Sequence, residues 1–282
     1  MARRRVDAAP RRAVQPASQS EIDQLQDDAS DPAQLTFRQH ALAFVKELAA
    51  VVVGAVIVAS LLRGFVGQMF LIPSISMQRT LQVDDRVVVE KLSAAKRGQV
   101  IVFKDPGGWL TDAIPRQRGP IGKAFQFIGV LPDTGTEHLI KRVIGVEGDR
   151  VACCDAAGRL IVNGEPLDET SYLTAAPGGA HMQPSAIRFD VVVPRGHLFV
   201  MGDNRDHSRD SRCHLNDTQA GGATGENAFV SQDLVVGRAI AVVWPLDRQH
   251  RLAIPDTFDS VPSGSEPAPD AATITAGPEA SC

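Results

Sequence analysis

The stretch Leu48–Leu62, LAAVVVGAVIVASLL, runs for 15 residues without a charge, and it leaves few folds open. With Ala41–Val45 before it and Phe65–Ile72 after, it is the most apolar part of the chain. As a helix the uncharged run alone spans about 22 Å, short of the roughly 30 Å hydrocarbon core of a bilayer. A membrane span must therefore draw on its flanks, with Lys46, Glu47 and Arg63 near the interfaces and the cationic stems snorkelling. A buried core helix would more often show a polar face. A cleavable signal peptide has an apolar core of this length, but not behind some 47 preceding residues. The run is read as one transmembrane helix, residues 41–66.

Arg38 and Lys46 before the span are nearly balanced by Arg63 and Arg79 after it. Five further arginines, Arg3, Arg4, Arg5, Arg11 and Arg12, tilt the positive-inside count and put the N-terminus in the cytoplasm. Residues 1–40, polar and without apolar periodicity, read as a disordered cytoplasmic tail. Residues 253–282, rich in Pro, Ser, Ala and Gly from Pro255 onward, read as a disordered C-terminal tail. Residues 67–252 remain for an extracytoplasmic domain. There, short β-type runs recur at Arg86–Glu90, Gln99–Phe103, Leu160–Asn163, Asp190–Val193, His197–Met201 and Ala239–Trp244, separated by Gly, Pro and Asp. This rhythm predicts a mostly β, antiparallel domain and not βαβ units.

A net charge of -4, with no basic patch interleaved with aromatics, offers nothing to nucleic acid. The cysteines, Cys153, Cys154, Cys213 and Cys282, have no CxxC or metal-ligand spacing, so no metal is expected. The cysteines read either as buried free thiols or, in an oxidising compartment, as a bridge from Cys213 to Cys153 or Cys154, with Cys282 unpaired.

Three segments carry chemistry. Pro73-Ser-Ile-Ser-Met-Gln-Arg-Thr-Leu81 sets Ser74 and Ser76 two residues apart just beyond the span. In His138-Leu-Ile-Lys-Arg-Val-Ile-Gly-Val146, Lys141 is embedded in an apolar strand-like run, where desolvation would lower its proton affinity. Gly202-Asp-Asn-Arg-Asp-His-Ser-Arg-Asp-Ser-Arg212 crowds charged and hydrogen-bonding groups directly after an apolar run. Asp203, Asn204 and Asp206 lack the following bidentate Glu of an EF-type calcium loop. None of the histidines sits near a GxSxG nucleophile elbow, which speaks against a Ser-His-Asp triad.

In this order the three segments resemble the motifs of the type I signal peptidases (leader peptidases), and Arg97-Gly-Gln-Val-Ile-Val-Phe103 resembles the family segment between them. The resemblance runs from the span to about Pro245. It implies an antiparallel β catalytic domain with a small inserted cap region, anchored in the plasma membrane by a single N-terminal helix. It implies Ser76 as nucleophile, Lys141 as general base, Ser74 as an oxyanion donor and Ser208 as the residue orienting Lys141. Arg142, Asp203, Asp210 and Arg212 would be supporting charges. No cofactor is implied, and the partners would be signal-peptide-bearing preproteins and the lipid bilayer. Arg79 departs from the family pattern, which has proline there. The segment with Phe125, Phe127 and Ile128 is read first as a loop folded onto the domain, with a dip into the outer leaflet as the alternative. Two other readings are a soluble self-cleaving Ser–Lys repressor domain, which the span disfavours, and a catalytically silent export scaffold, which the Ser76/Lys141 pair disfavours.

Overall fold

Alternating Val and polar side chains, then fully apolar runs, set up strands that are buried on one face or on both. In a computed structural model, which describes residues 32–65, 67–110, 119, 122, 138–174, 182–218 and 223–277, these runs become antiparallel sheets. The chain divides into two units, residues 1–56 and 57–282.

Helix α1, Pro32–Phe65, dominates the first unit and continues to the start of the second. Proline suits a first helical position, where its missing N–H has no partner to lose. The helix begins nine residues before the expected boundary at 41, so part of the presumed 1–40 tail is helical. Within it Thr36–Ser60, 25 residues, is apolar enough to cross a membrane, with an 18-residue window of mean hydropathy 2.3, and none of that stretch is buried. Its length of about 37 Å is enough for a bilayer core, as the recruitment of flanking residues requires.

The second unit holds β1 (Gly67–Leu71), β2 (Arg86–Glu90), β3 (Val100–Lys104), β4 (His138–Val146), β5 (Arg150–Cys153), β6 (Leu160–Val162), β7 (Glu165–Pro166), β8 (Phe189–Val192), β9 (His197–Met201), β10 (Val230–Ser231), β11 (Val235–Trp244), β12 (His250–Arg251) and β13 (Thr273–Ala276). Eight strands form one sheet in the order β1-β2-β11-β3-β4-β9-β10, with β12 beside β11. In β2 only Val87 and Val89 point inward, whereas β3 and β4 are covered on both faces. Phe70, Ile72, Met77, Leu81, Val100, Val102 and Ile140 pack together on one side; Ile101, Phe103, Trp109, Leu139, Val143 and Leu198 form a separate cluster. The inserted region that the resemblance implies lies between β4 and β9. It supplies four strands of a second sheet ordered β13-β8-β5-β6-β7. Val151, Leu160, Val162 and Val191 of that sheet share a core with Ile144, Phe199 and Met201 of the first.

Two expectations are corrected here. Residues 253–277 are not a disordered tail: Phe258 and Val261 are buried in the shared core, Ser265 N–H donates to Gly148 O at 2.8 Å, and β13 pairs with β8 along Thr273↔Val192 to Ala276↔Phe189. A few apolar anchors suffice to order a segment whose composition is otherwise that of a linker. The cysteines also pair differently. Cys153 is bonded to its neighbour Cys154 and not to Cys213. Cys153 ends β5 facing β8, with its Sγ 3.8 Å from Ser185 O. Cys213 lies elsewhere, in the turn after Asp210, with its Sγ 3.6 Å from Ser208 O. Cys213 is itself in a disulfide; Cys282, Phe125, Phe127 and Ile128 lie outside the described residues.

Candidate active site

β1 leads through Ile72 into a turn that carries Ser76. Met77 and Leu81, one helical turn apart, are fully buried and pin that turn to the core, while Gln78 N–H donates to Ile75 O and Leu81 N–H to Met77 O. Ser76 is thereby held 7% exposed at the surface of the sheet, with Ser74 outside it and their hydroxyls 3.3 Å apart.

Lys141 comes from β4, opposite Ile101 of β3, and is 3% exposed. Its Nζ donates to Ser76 Oγ at 2.8 Å and to Ile140 O at 3.1 Å. Burial penalises the ammonium and pushes its pKa from 10.5 to about 8; Asp210 and Asp203 pull it up, and Arg212 pushes it down. A lysine in this state is neutral often enough near neutral pH to take a proton from the hydroxyl it touches.

The 202–212 loop supports the turn from below. Asn204 N–H donates to Ser76 O at 3.0 Å, and Asn204 Nδ2 donates to Ile75 O at 3.2 Å. Arg142 makes a fork to Asp203, with Nε–Oδ1 at 2.8 Å and Nη2–Oδ2 at 2.7 Å, and its Nη1 donates to Gly98 O. Thr80 Oγ1 donates to the same carboxylate at 2.5 Å, so the buried ion pair grips the serine turn directly. Asp210 accepts from Gly202 N–H and from Arg212 Nε and Nη2, each at 2.9 Å. Burial opposes its ionisation, but the Arg212 guanidinium holds its pKa below the ordinary value.

The structure therefore brings Ser74, Ser76, Lys141, Arg142, Asp203, Asp210 and Arg212 into one neighbourhood. Ser208 is close by, on the Asp210 side, and its buried Oγ makes no hydrogen bond to Lys141 among the described residues. Four contributors escaped the sequence reading. Thr80 and Asn204 are hydrogen-bonding residues inside motifs already singled out. Glu169 holds Arg205 in a buried ion pair at 2.5 Å, a contact across the fold that leaves no local sequence signal. Gly202 has no room for a side chain: a Cβ would lie 2.2 Å from Ser208 Oγ and 2.5 Å from Ser76 O.

The departure at Arg79 has a structural counterpart. Its φ is 85°, a left-handed value that a proline ring, locked near about −65°, cannot adopt. The turn after Ser76 is thus built differently from one containing proline.

Residues 45–244 match the family model described as signal peptidase, peptidase S26. The chain is 39% identical over 210 residues to a probable signal peptidase I of Mycobacterium leprae, covering 65% of this chain and 71% of that protein. It is 35% identical over 232 residues to signal peptidase I of Mycobacterium tuberculosis, covering 72% and 74%. A crystal structure of a signal peptidase I from Enterococcus faecalis V583 aligns with 52% of this chain and 97% of its own at 20% identity, with a TM-score of 0.26, too low to bear on the fold. A family match that takes in the second half of the helix, the serine turn, β4 and the 202–212 loop, together with relatives of this similarity and coverage, places the chain in the signal peptidase family of S26 peptidases.

Proposed function

We propose that this chain is a membrane-anchored serine endopeptidase that removes N-terminal signal peptides from exported preproteins, with Ser76 as nucleophile and Lys141 as general base. The observation that carries the reading is the 2.8 Å contact between Ser76 Oγ and a desolvated Lys141 Nζ. Neutral Lys141 takes the hydroxyl proton as Oγ attacks the scissile carbonyl, then returns it to the leaving amine; water releases the acyl-enzyme. Ser74, beside Ser76, donates to the developing oxyanion. Arg142, Asp203, Asp210 and Arg212 support this pair by holding the turn and the loop beneath it. Helix α1 supplies the anchor in the plasma membrane, and the arginines before it favour a cytoplasmic N-terminus. Ser76 follows Arg63 by only thirteen residues, which keeps the chemistry near the outer leaflet, where a preprotein held by its own apolar segment presents its cleavage site.

Full-length protein in detergent, incubated with a preprotein bearing small residues at positions -3 and -1, is expected to release the signal peptide. Binding without cleavage would instead indicate a scaffold.

The lysine sets the pH dependence. Only its neutral form is a base, so kcat/KM is expected to rise about tenfold per pH unit below about pH 8 and to level off above it. A flat profile from about pH 6 to about pH 9 would remove Lys141 from the role.

Ser74→Ala loses one oxyanion donor and should lower kcat/KM by on the order of 10² to 10³. Ser74→Thr keeps the hydroxyl and should recover part of that loss. Wild-type rates from the alanine variant would show that Ser74 contributes nothing to the transition state.

A further inference from the structure

The turn that carries Ser76 is held on two sides. On one, Asn204 N–H donates to Ser76 O. On the other, Arg79 Nη1 donates to Leu173 O at 2.7 Å, while Thr174 Oγ1 donates to Gln78 O at 2.6 Å. Leu173 O is a fixed acceptor. Its own N–H and that of Tyr172 donate to Glu169 O, and the Glu169 carboxylate is locked by Arg205 at 2.5 Å and by Tyr172 Oη at 2.6 Å, all in the interior. Arg205 Nε in turn donates to Gly202 O, at the head of the loop that supports Ser76 from below. The bonds form a closed ring: serine turn, Arg79, the 169–173 turn, Glu169, Arg205, Gly202, Asn204 and back to Ser76.

Arg79 is the strained member of this ring. A φ of 85° is a conformation that non-glycine residues rarely adopt and that persists where the surroundings over-determine it. A glycine would occupy it without strain, so what the arginine adds is its side chain.

We propose that Arg79 is a positioning residue for the reaction: its bond to Leu173 O fixes the outer side of the serine turn and with it the aim of Ser76 Oγ. The proposal rests on Ser76 being the nucleophile, as set out above. Arg79 touches neither Lys141 nor the reacting atoms, so its effect falls on how often Ser76 stands in line for attack, which is a kcat effect.

The test uses the full-length enzyme in detergent with one preprotein and compares wild type, Ser76→Ala, Arg79→Gly, Arg79→Met and Arg79→Lys. Cleavage by wild type and its loss in Ser76→Ala establish the parent reading independently of Arg79. Against that control, Arg79→Gly and Arg79→Met are expected to lose about five- to tenfold in kcat, as befits one hydrogen bond. Their KM should stay within about twofold, and the pH midpoint should match wild type because the Lys141 surroundings are intact. Arg79→Lys, which keeps a donor, should recover a substantial part. The proposal is overturned if the glycine and methionine variants keep wild-type kcat, if the loss appears in KM or as a shifted pH midpoint, or if it only tracks the fraction of folded protein measured by circular dichroism.

Discussion

Ser76→Ala, Lys141→Ala and Lys141→Met enzymes are expected to lose signal-peptide cleavage by a factor on the order of 10⁴ or more, and the Ser76→Ala/Lys141→Ala double variant should be no worse than either single one. The two side chains activate one bond as a unit, so their losses do not add. Lys141→Arg should be equally dead, because a guanidinium stays protonated. The methionine variant separates catalysis from folding, since it keeps the buried stem and removes only the amine.

The amine also has a stability cost whose sign can be worked out. Its pKa is 10.5 in the unfolded chain and about 8 in the fold. Below about pH 8 both states hold the proton and the fold bears the full penalty, on the order of 3 kcal/mol; between about pH 8 and about 10.5 the folded amine is neutral and the penalty fades. Lys141→Met should therefore be more stable than wild type near pH 7, and that gain should shrink as the pH is raised. Denaturant unfolding at the two pH values checks this. Substantial turnover by any purified variant of either residue would end the assignment of the dyad.

Asp203→Ala is expected to cost about 3–5 kcal/mol in unfolding free energy, the range for removing one partner of a buried ion pair. Asp203 is fully buried and Arg142 is 2% exposed, so the guanidinium left behind is a buried charge without its counter-ion. The same change strips Thr80 of its acceptor and loosens the turn that carries Ser76, so activity should fall even in the folded fraction. An Arg142→Met/Asp203→Leu double variant removes both charges and should regain much of the stability without regaining the activity. Unfolding of Asp203→Ala within about 1 kcal/mol of wild type would show that the pair is dispensable.

Several of the strands were legible in the sequence. The expected runs at Arg86–Glu90 and His197–Met201 coincide with β2 and β9, and those around Gln99–Phe103 and Asp190–Val193 are displaced by one residue from β3 and β8. Period-two alternation and an unbroken apolar run are local properties, written residue by residue, and so they survive without knowledge of partners. Segments such as 256–276, held by a few anchors in a linker-like composition, do not announce themselves in this way. The chemistry was legible only as three separate motifs. Ser76 and Lys141 lie 65 positions apart, and nothing local to either states that they stand 2.8 Å from one another. The same holds for Arg142 with Asp203, for Cys153 with Cys154 in preference to Cys213, and for the left-handed backbone at Arg79. A side chain's pairing and its proton affinity depend on what fills the volume around it. Both were set when β4 was laid beside β3 and the serine turn and the 202–212 loop closed around the Lys141 amine, removing the water contact that keeps an ordinary lysine's pKa near 10.5.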